Sequence, residues 1–375
     1  MSADSLRIGL LAADLTQRHG WAHYSLSMLE ALRRAGAEVV VLTTRNSPEA
    51  ADPASLRRLP NVAPLEPGML NKQLRLVPAA RKALAGCDVI HCAVELYAPL
   101  AALAAGNRPL VITGHGTYVR LPARGGAAGL IYRRAFLRGV LACVSQFTAD
   151  EAKNALPSVR TVVIPNGIDA ERFAHLPPAQ KYGDTVLFVG AVKPRKGVLA
   201  LVEAMALARQ QIPAARCWIV GALDQEPDYV EQVRAAIQAH DLTDSVELLG
   251  RISDDELLHR YAAADVFALP SLNIGDKFEG FGLALLEASA AGLPVIGSRN
   301  CGAQDAIREG RTGLLIKQED AVSELASTIV LMLGSPSLRM QMGAAGRAYA
   351  QKQTWDAAAT SLIGYFGALL RNRRY

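Results

Sequence analysis

The sequence predicts an α/β protein made of two Rossmann-like, doubly wound parallel-sheet domains facing across a cleft. Three observations predict it. A chain of 375 residues exceeds what one ordinary core needs. Short apolar runs alternate with amphipathic helical stretches, the pattern of parallel strands covered by helices. That pattern runs once, breaks at a polar, proline-containing segment over residues 173–184, and then starts again.

In the first half, an apolar strand over residues 7–13 leads into a turn around Gly20. An amphipathic helix over residues 23–35 follows, closed by Gly36. Residues 38–43 (EVVVLT) form a second buried strand and complete a β-α-β unit. Residues 89–92, 110–113 and 141–144 continue the strand series. In the second half, strands are expected at 185–189, 217–220, 246–248, 266–269, 295–297 and 313–316, and a last amphipathic helix at 355–371. The expected domains are 1–173 and 174–354, with 355–375 packing back on the first.

Half of the residues are hydrophobic and 20% are charged, the composition of a folded, soluble chain. No apolar run approaches the roughly 18 residues of a membrane span, and the start, MSADSLRIGLLAADL, lacks a leader pattern. The expected location is the cytoplasm, free or peripheral on the inner face of the membrane. Cys87, Cys92, Cys143, Cys217 and Cys301 have no metal-ligand spacing and are expected as reduced core thiols.

The formal charge of +5 is uneven. Residues 1–175 carry 20 Lys+Arg against 13 Asp+Glu, and the remainder 20 against 22. Arg120, Arg124, Arg133, Arg134 and Arg138 interleave with Leu130, Ile131, Tyr132, Phe136 and Leu137. Such a pattern suits an anionic lipid surface or an ordinary solvated face. No nucleic-acid-binding motif accompanies the charge, so nucleic acid is not an expected partner.

The chemistry-bearing residues follow strands, where open α/β sheets bind ligands. Glu279-Gly280-Phe281-Gly282 precedes an apolar helix beginning near Leu283, and a glycine-rich turn at a helix start presents N–H groups to an anion. Glu287 lies inside LALLEASAAG, where a carboxylate needs partners that a ligand diol could supply. After the 185–189 strand, GAVKPRKG places Lys193, Arg195 and Lys196 where a diphosphate could be neutralised. His115 stands between two glycines after a strand, in ITGHGT. Asp254-Asp255 is not a metal-binding DxD motif and reads as a helix cap, so no metal is expected.

The E-x7-E spacing of Glu279 and Glu287 with an internal GFG, followed by AGLPVI, resembles the donor-binding signature of family 4 retaining glycosyltransferases of the GT-B fold. The resemblance spans nearly the whole chain, taking in the Gly20 loop, Ser145 in VSQFTADEA, Pro165-Asn166-Gly167-Ile168-Asp169 and FVGAVKPRKG. It implies that Glu287 binds ribose hydroxyls, that Glu279 binds hydroxyls of the transferred sugar, and that backbone from Gly280, Phe281, Gly282 and Leu283 helps hold sugar and phosphate. His115 corresponds to the family's histidine facing the donor sugar, Lys196 to its phosphate lysine, and Gly20 to its backbone contact. Ala191 departs from the pattern, since the family carries an arginine there, and Arg195 is the substitute on offer.

The implied reaction is transfer from a UDP- or GDP-sugar to a hydroxyl of a glycan, lipid-linked or small-molecule acceptor, in cell-surface glycan, glycolipid or polysaccharide synthesis. It proceeds with retention and without a cofactor or metal. The competing assignments are a sugar-nucleotide epimerase or phosphorylase, a non-catalytic sugar-nucleotide-binding protein, and a dinucleotide oxidoreductase, whose glycine fingerprint AADLTQRHG lacks.

Overall fold

The computed structural model describes residues 6–371. Residues 1–5, the start of the N-terminal segment MSADSLRIGLLAADL, and 372–375, the end of the C-terminal segment, lie outside it. The chain divides into two compact units. One takes in the chain up to Gly167 together with Trp355 onward, and the other is Ile168–Thr354.

The first unit carries strands β1 (Arg7–Leu11), β2 (Glu38–Thr44), β3 (Leu56–Leu59), β4 (Val89–Cys92), β5 (Leu110–Gly114), β6 (Val140–Cys143) and β7 (Thr161–Val163). Its helices are α1 (Gly20–Arg34), α2 (Met69–Ala83), α3 (Ala98–Ala105), α4 (Gly126–Arg138) and α5 (Gln146–Ala155). The strands form one sheet in the order β3-β2-β1-β4-β5-β6-β7, and every named pairing is parallel. The central strands β4, β5 and β6 are buried along their whole length. This explains why they read as nearly continuous apolar runs.

The second unit repeats the plan with β8 (Thr185–Val189), α6 (Val198–Gln211), β9 (Arg216–Val220), α7 (Pro227–Ala239), β10 (Val246–Gly250), α8 (Asp254–Ala263), β11 (Val266–Leu269) and α9 (Leu283–Ala290). β12 (Val295–Ser298), α10 (Ala303–Ala306), β13 (Gly313–Ile316), α11 (Ala321–Leu333) and α12 (Pro336–Ala350) complete it. The sheet order β10-β9-β8-β11-β12-β13 is again parallel throughout. In both sheets the order reverses beside the first strand, between β1 and β4 and between β8 and β11. Ligands of doubly wound sheets bind beyond the carboxyl ends of strands at such a reversal.

Several boundaries differ from the expectation for identifiable reasons. The first helix begins at Gly20, not after a turn near residue 23, because the His19 side chain accepts the Ala22 N–H and caps it. In the Asp254-Asp255 pair the cap is Ser253, whose hydroxyl accepts the Glu256 N–H, and the two aspartates fill the first turn at the positive end of the dipole. The unit boundary falls at Gly167–Ile168, where residue 173 was expected. Ile168 donates its N–H to Gln353 O and Phe173 sets its ring edge-on to Tyr261, so this stretch is part of the second core. The helix α13 (Trp355–Arg371) packs in the first unit: Trp355 meets the rings of His23 and Tyr24, and Phe366 meets His91. Ser145 caps α5 through the Thr148 N–H, a structural role that accounts for its place in the sequence pattern.

All five cysteines are free and buried. Among the described residues no single helix is long and apolar enough to cross a membrane.

Candidate functional site

In the second unit the strand-order reversal brings two loops together. Val266 pairs with Val186 and Phe267 with Leu187, so the chain leaves β8 and β11 side by side. The loop after β8 runs through Gly190 to a short 3-10 turn at Pro194–Lys196 and ends at Gly197. A Cβ on Gly197 would stand 1.9 Å from Pro270 O, and its φ is +68°, so only glycine lets the β8 loop lie this close to the β11 loop. Gly302 seals the other side, donating its N–H to Glu279 O at 2.7 Å, with no room for a side chain against Gly280 O.

The result is a compact charge cluster. Glu279 is 8% exposed. Its Oε2 accepts from Lys196 Nζ at 2.5 Å, Arg195 Nη1 at 2.8 Å and Ser271 Oγ at 3.3 Å. Burial alone would raise the Glu279 pKa, but the two cations outweigh it and hold the carboxyl at about 2. Burial lowers the Lys196 pKa even though Glu279 opposes the shift. Burial likewise lowers the Lys193 pKa, and the neighbouring charges of Arg195, Lys196 and Lys277 act in the same direction. All three bonds to the Glu279 side chain fall on one oxygen, and among the described residues none donates to Oε1.

Past Glu279 the chain turns into α9. Gly282 occupies the cap position in the left-handed region at φ +84°. The first-turn N–H groups of a helix have no intrahelical partner, and this turn sits beside the cations. The Phe281 side chain is in the core, so only its backbone can serve a ligand. Glu279 lies before α9 and Glu287 in its second turn, so the two carboxylates are not on one helical face. Glu287 is half-buried and accepts from Tyr261 Oη at 3.3 Å. Burial raises its pKa, against the pull of Arg172 and Tyr261.

In the first unit the loops after β1, β4 and β5 hold Gly20, Glu95 and His115. His115 Nε2 is 2.7 Å from Ala93 O, an atom that only accepts, so Nε2 carries the proton and Nδ1 is the acceptor. Burial lowers the His115 pKa to about 4, so the ring is neutral near pH 7. Tyr24 braces it edge-on with ring centroids 4.6 Å apart. Beneath it, fully buried Glu95 accepts the His115 N–H at 2.5 Å. Burial raises the Glu95 pKa to about 7, opposed by backbone N–H groups and the Trp21 side chain. At the start of α1, His19 takes the Ala22 N–H on Nδ1, so Nε2–H donates to Asp14 Oδ1 at 2.8 Å. A Cβ on Gly20 would stand in open space, so the fold itself makes no steric demand for glycine there.

The structure therefore gathers Arg195, Lys196, Glu279 and the Gly280–Leu283 turn, with Glu287 farther along the same helix, and separately places Gly20 and His115 around Glu95. Sequence reasoning missed Ser271, Tyr261, Arg172, Lys277 and Glu95. Only Glu95 left a signal, as a lone carboxylate inside the apolar run from Val89 to Leu100. Among the described residues no group of three His, Cys, Asp or Glu could hold a metal ion.

Comparison with known proteins places the chain in a family. Residues 169–349 match the family model described as glycosyl transferases group 1, and residues 19–172 match glycosyltransferase family 4. The chain is 32% identical over 285 residues to the GDP-mannose-dependent alpha-(1-6)-phosphatidylinositol monomannoside mannosyltransferase of Mycobacterium tuberculosis, covering 72% of each chain. It is 29% identical over 378 residues to the phosphatidyl-myo-inositol mannosyltransferase of the same species, covering 96% of each. Among solved structures, sucrose-phosphate synthase from Thermosynechococcus elongatus superposes with a TM-score of 0.79 at 24% identity, over 98% of this chain and 100% of the other. With two parallel-sheet α/β units, a carboxylate pair astride the start of α9 and these matches in both halves, the chain belongs to the family 4, group 1 glycosyltransferases of the GT-B type.

Proposed function

We propose that this glycosyltransferase moves mannose from GDP-mannose to a hydroxyl of a lipid-linked acceptor, with retention of configuration and without a metal ion. The observation that carries the proposal is the Lys196–Glu279–Arg195 cluster at the β8/β11 reversal, beside the start of α9. Arg195, Lys196 and Lys277 all act on Lys193 there, a local excess of positive charge that meets the electrostatic requirement for a departing nucleoside diphosphate. In this reading Lys196 and Arg195 shift part of their interaction from Glu279 to the diphosphate, and Arg195 supplies the charge that Ala191 does not. Glu279 receives a sugar hydroxyl on Oε1, and Glu287, held by Tyr261, receives the ribose diol. His115 offers Nδ1 to a substrate hydroxyl.

The anomeric carbon–oxygen bond breaks toward the diphosphate while the acceptor oxygen bonds to the same face, and the acceptor proton passes to a phosphate oxygen. The names of the mannosyltransferases matched above support the donor and a phosphoinositide-like acceptor. The outward face of α4 supports residence at the cytoplasmic face of a membrane: Leu130 and Leu137 are 58% and 42% exposed, and Arg133 and Arg134 are exposed between them. A thermal-shift screen of UDP-, GDP-, ADP- and TDP-sugars tests the donor. GDP-mannose is expected to raise the melting temperature most, since a ligand at about 100 times its Kd stabilises by about 2.7 kcal/mol. Stabilisation by a UDP-sugar alone would overturn the choice of base.

A further inference from the structure

The first unit contains a pocket of about 540 Å³ formed where the segment preceding α2, the loop after β4 and the start of α4 meet. That volume lies in the usual range of small-molecule sites, ~300–1,000 Å³. Met69, Leu70, Leu96, Leu121, Tyr118 and Tyr132 give its wall large apolar and aromatic side chains. The wall is held by its own hydrogen bonds: Tyr132 Oη donates to Leu96 O at 3.1 Å, and Gln73 Nε2 donates to the same carbonyl at 2.8 Å. The polar groups behind the apolar surface are thereby satisfied, and the pocket is built before any ligand arrives.

Two charged residues line it, and they differ. Glu66 is already matched, accepting from Asn61 N–H at 2.7 Å and Lys72 Nζ at 2.6 Å. Arg124 is exposed, lies close enough to Tyr118 and Tyr132 to act on their hydroxyls, and has no carboxylate partner among the described residues. Its backbone is held by the neighbouring helix, because Gly129 of α4 packs so tightly on Arg124 O that a Cβ would lie 1.7 Å away. Leu65, also lining the pocket, is 50% exposed, so the apolar wall continues out to the surface.

An apolar pocket with one uncompensated cation is complementary to a molecule that has an apolar chain and one anionic group near its end. We propose that this pocket receives the hydrocarbon chain of an anionic amphiphile, with its phosphate at Arg124, and so holds the lipid part of the acceptor. The proposal rests on the assignment of a lipid-linked acceptor above and goes beyond it in naming where the chain and the charge are held.

The test is calorimetric titration at low salt with decyl phosphate, kept below the concentration at which it forms micelles, with inorganic phosphate and decanol as partial ligands. The expected result is one site per chain, with both partial ligands bound at least about tenfold more weakly. Arg124→Glu and Ala128→Trp, the latter filling the pocket from an exposed lining position, should each weaken decyl phosphate by about tenfold or more. Melting curves establish that each variant is folded, and either one suffices. No binding of decyl phosphate, equal affinity in the folded variants, or inorganic phosphate binding as tightly as decyl phosphate would each overturn the proposal. GDP-mannose titrated into the same wild-type preparation separates the two claims. If it binds while decyl phosphate does not, the pocket assignment fails alone; if it does not bind, the functional assignment fails.

Discussion

Lys196 Nζ lies 2.5 Å from Glu279 Oε2, and Arg195 reaches the same oxygen at 2.8 Å. The residue expected to read the sugar thus holds the two cations expected to read the phosphate. Burial opposes the charge on Lys196 while the two cations favour the charge on Glu279, and the shared carboxylate keeps both cations at one point. Glu279→Ala leaves both without their shared counter-ion. Chemical denaturation should show a loss of about 3 kcal/mol, whereas an unchanged midpoint would mean that the cations find water instead.

Glu95 gives a pH signature. Its folded pKa of about 7 stands above the ordinary 4.5, so its contribution to stability is present at low pH and lost as pH rises through 7. Glutamine does not titrate. The stability of Glu95→Gln relative to the wild type should therefore rise by about 3 kcal/mol between about pH 4 and about pH 8. His91 and His115 titrate in both proteins and largely cancel in the difference. A pH-independent difference would mean that Glu95 is an ordinary carboxylate.

Gly20 separates ligand room from fold. The space around it is open, so Gly20→Val should keep the melting temperature within a few degrees while lowering transfer activity by about tenfold or more. Retained activity would show that the start of α1 does not approach substrate.

Because cations and a helix start are assigned the charge of the leaving group, EDTA should leave the transfer rate unchanged. A strict requirement for Mg²⁺ or Mn²⁺ would contradict that assignment.

Much of this was legible in the sequence, for physical reasons. β4, β8, β11, β13 and α13 fall where their patterns placed them, because buried parallel strands are nearly continuous apolar runs and α13 has one apolar face. β3 and β7 were not legible. Leu-Arg-Arg-Leu and Thr-Val-Val are short edge strands without a fully buried run. The start of α1 was missed because histidine is not among the residues that usually cap helices. In the site, Lys196 and the carboxylate pair stood out locally. Ser271, Tyr261 and Arg172 gain their roles only through tertiary folding, Tyr261 reaching Glu287 from α8 and Ser271 reaching Glu279 from the end of β11.

The most direct test of the central claim is calorimetric titration of GDP-mannose into the wild type and Glu287→Ala, with circular dichroism to establish that the variant is folded. One site per chain in the wild type, lost or weakened by about a hundredfold in the variant, is the predicted result. Equal affinity in the two folded proteins, or no binding to either, would contradict the assignment of α9 as the donor-binding helix.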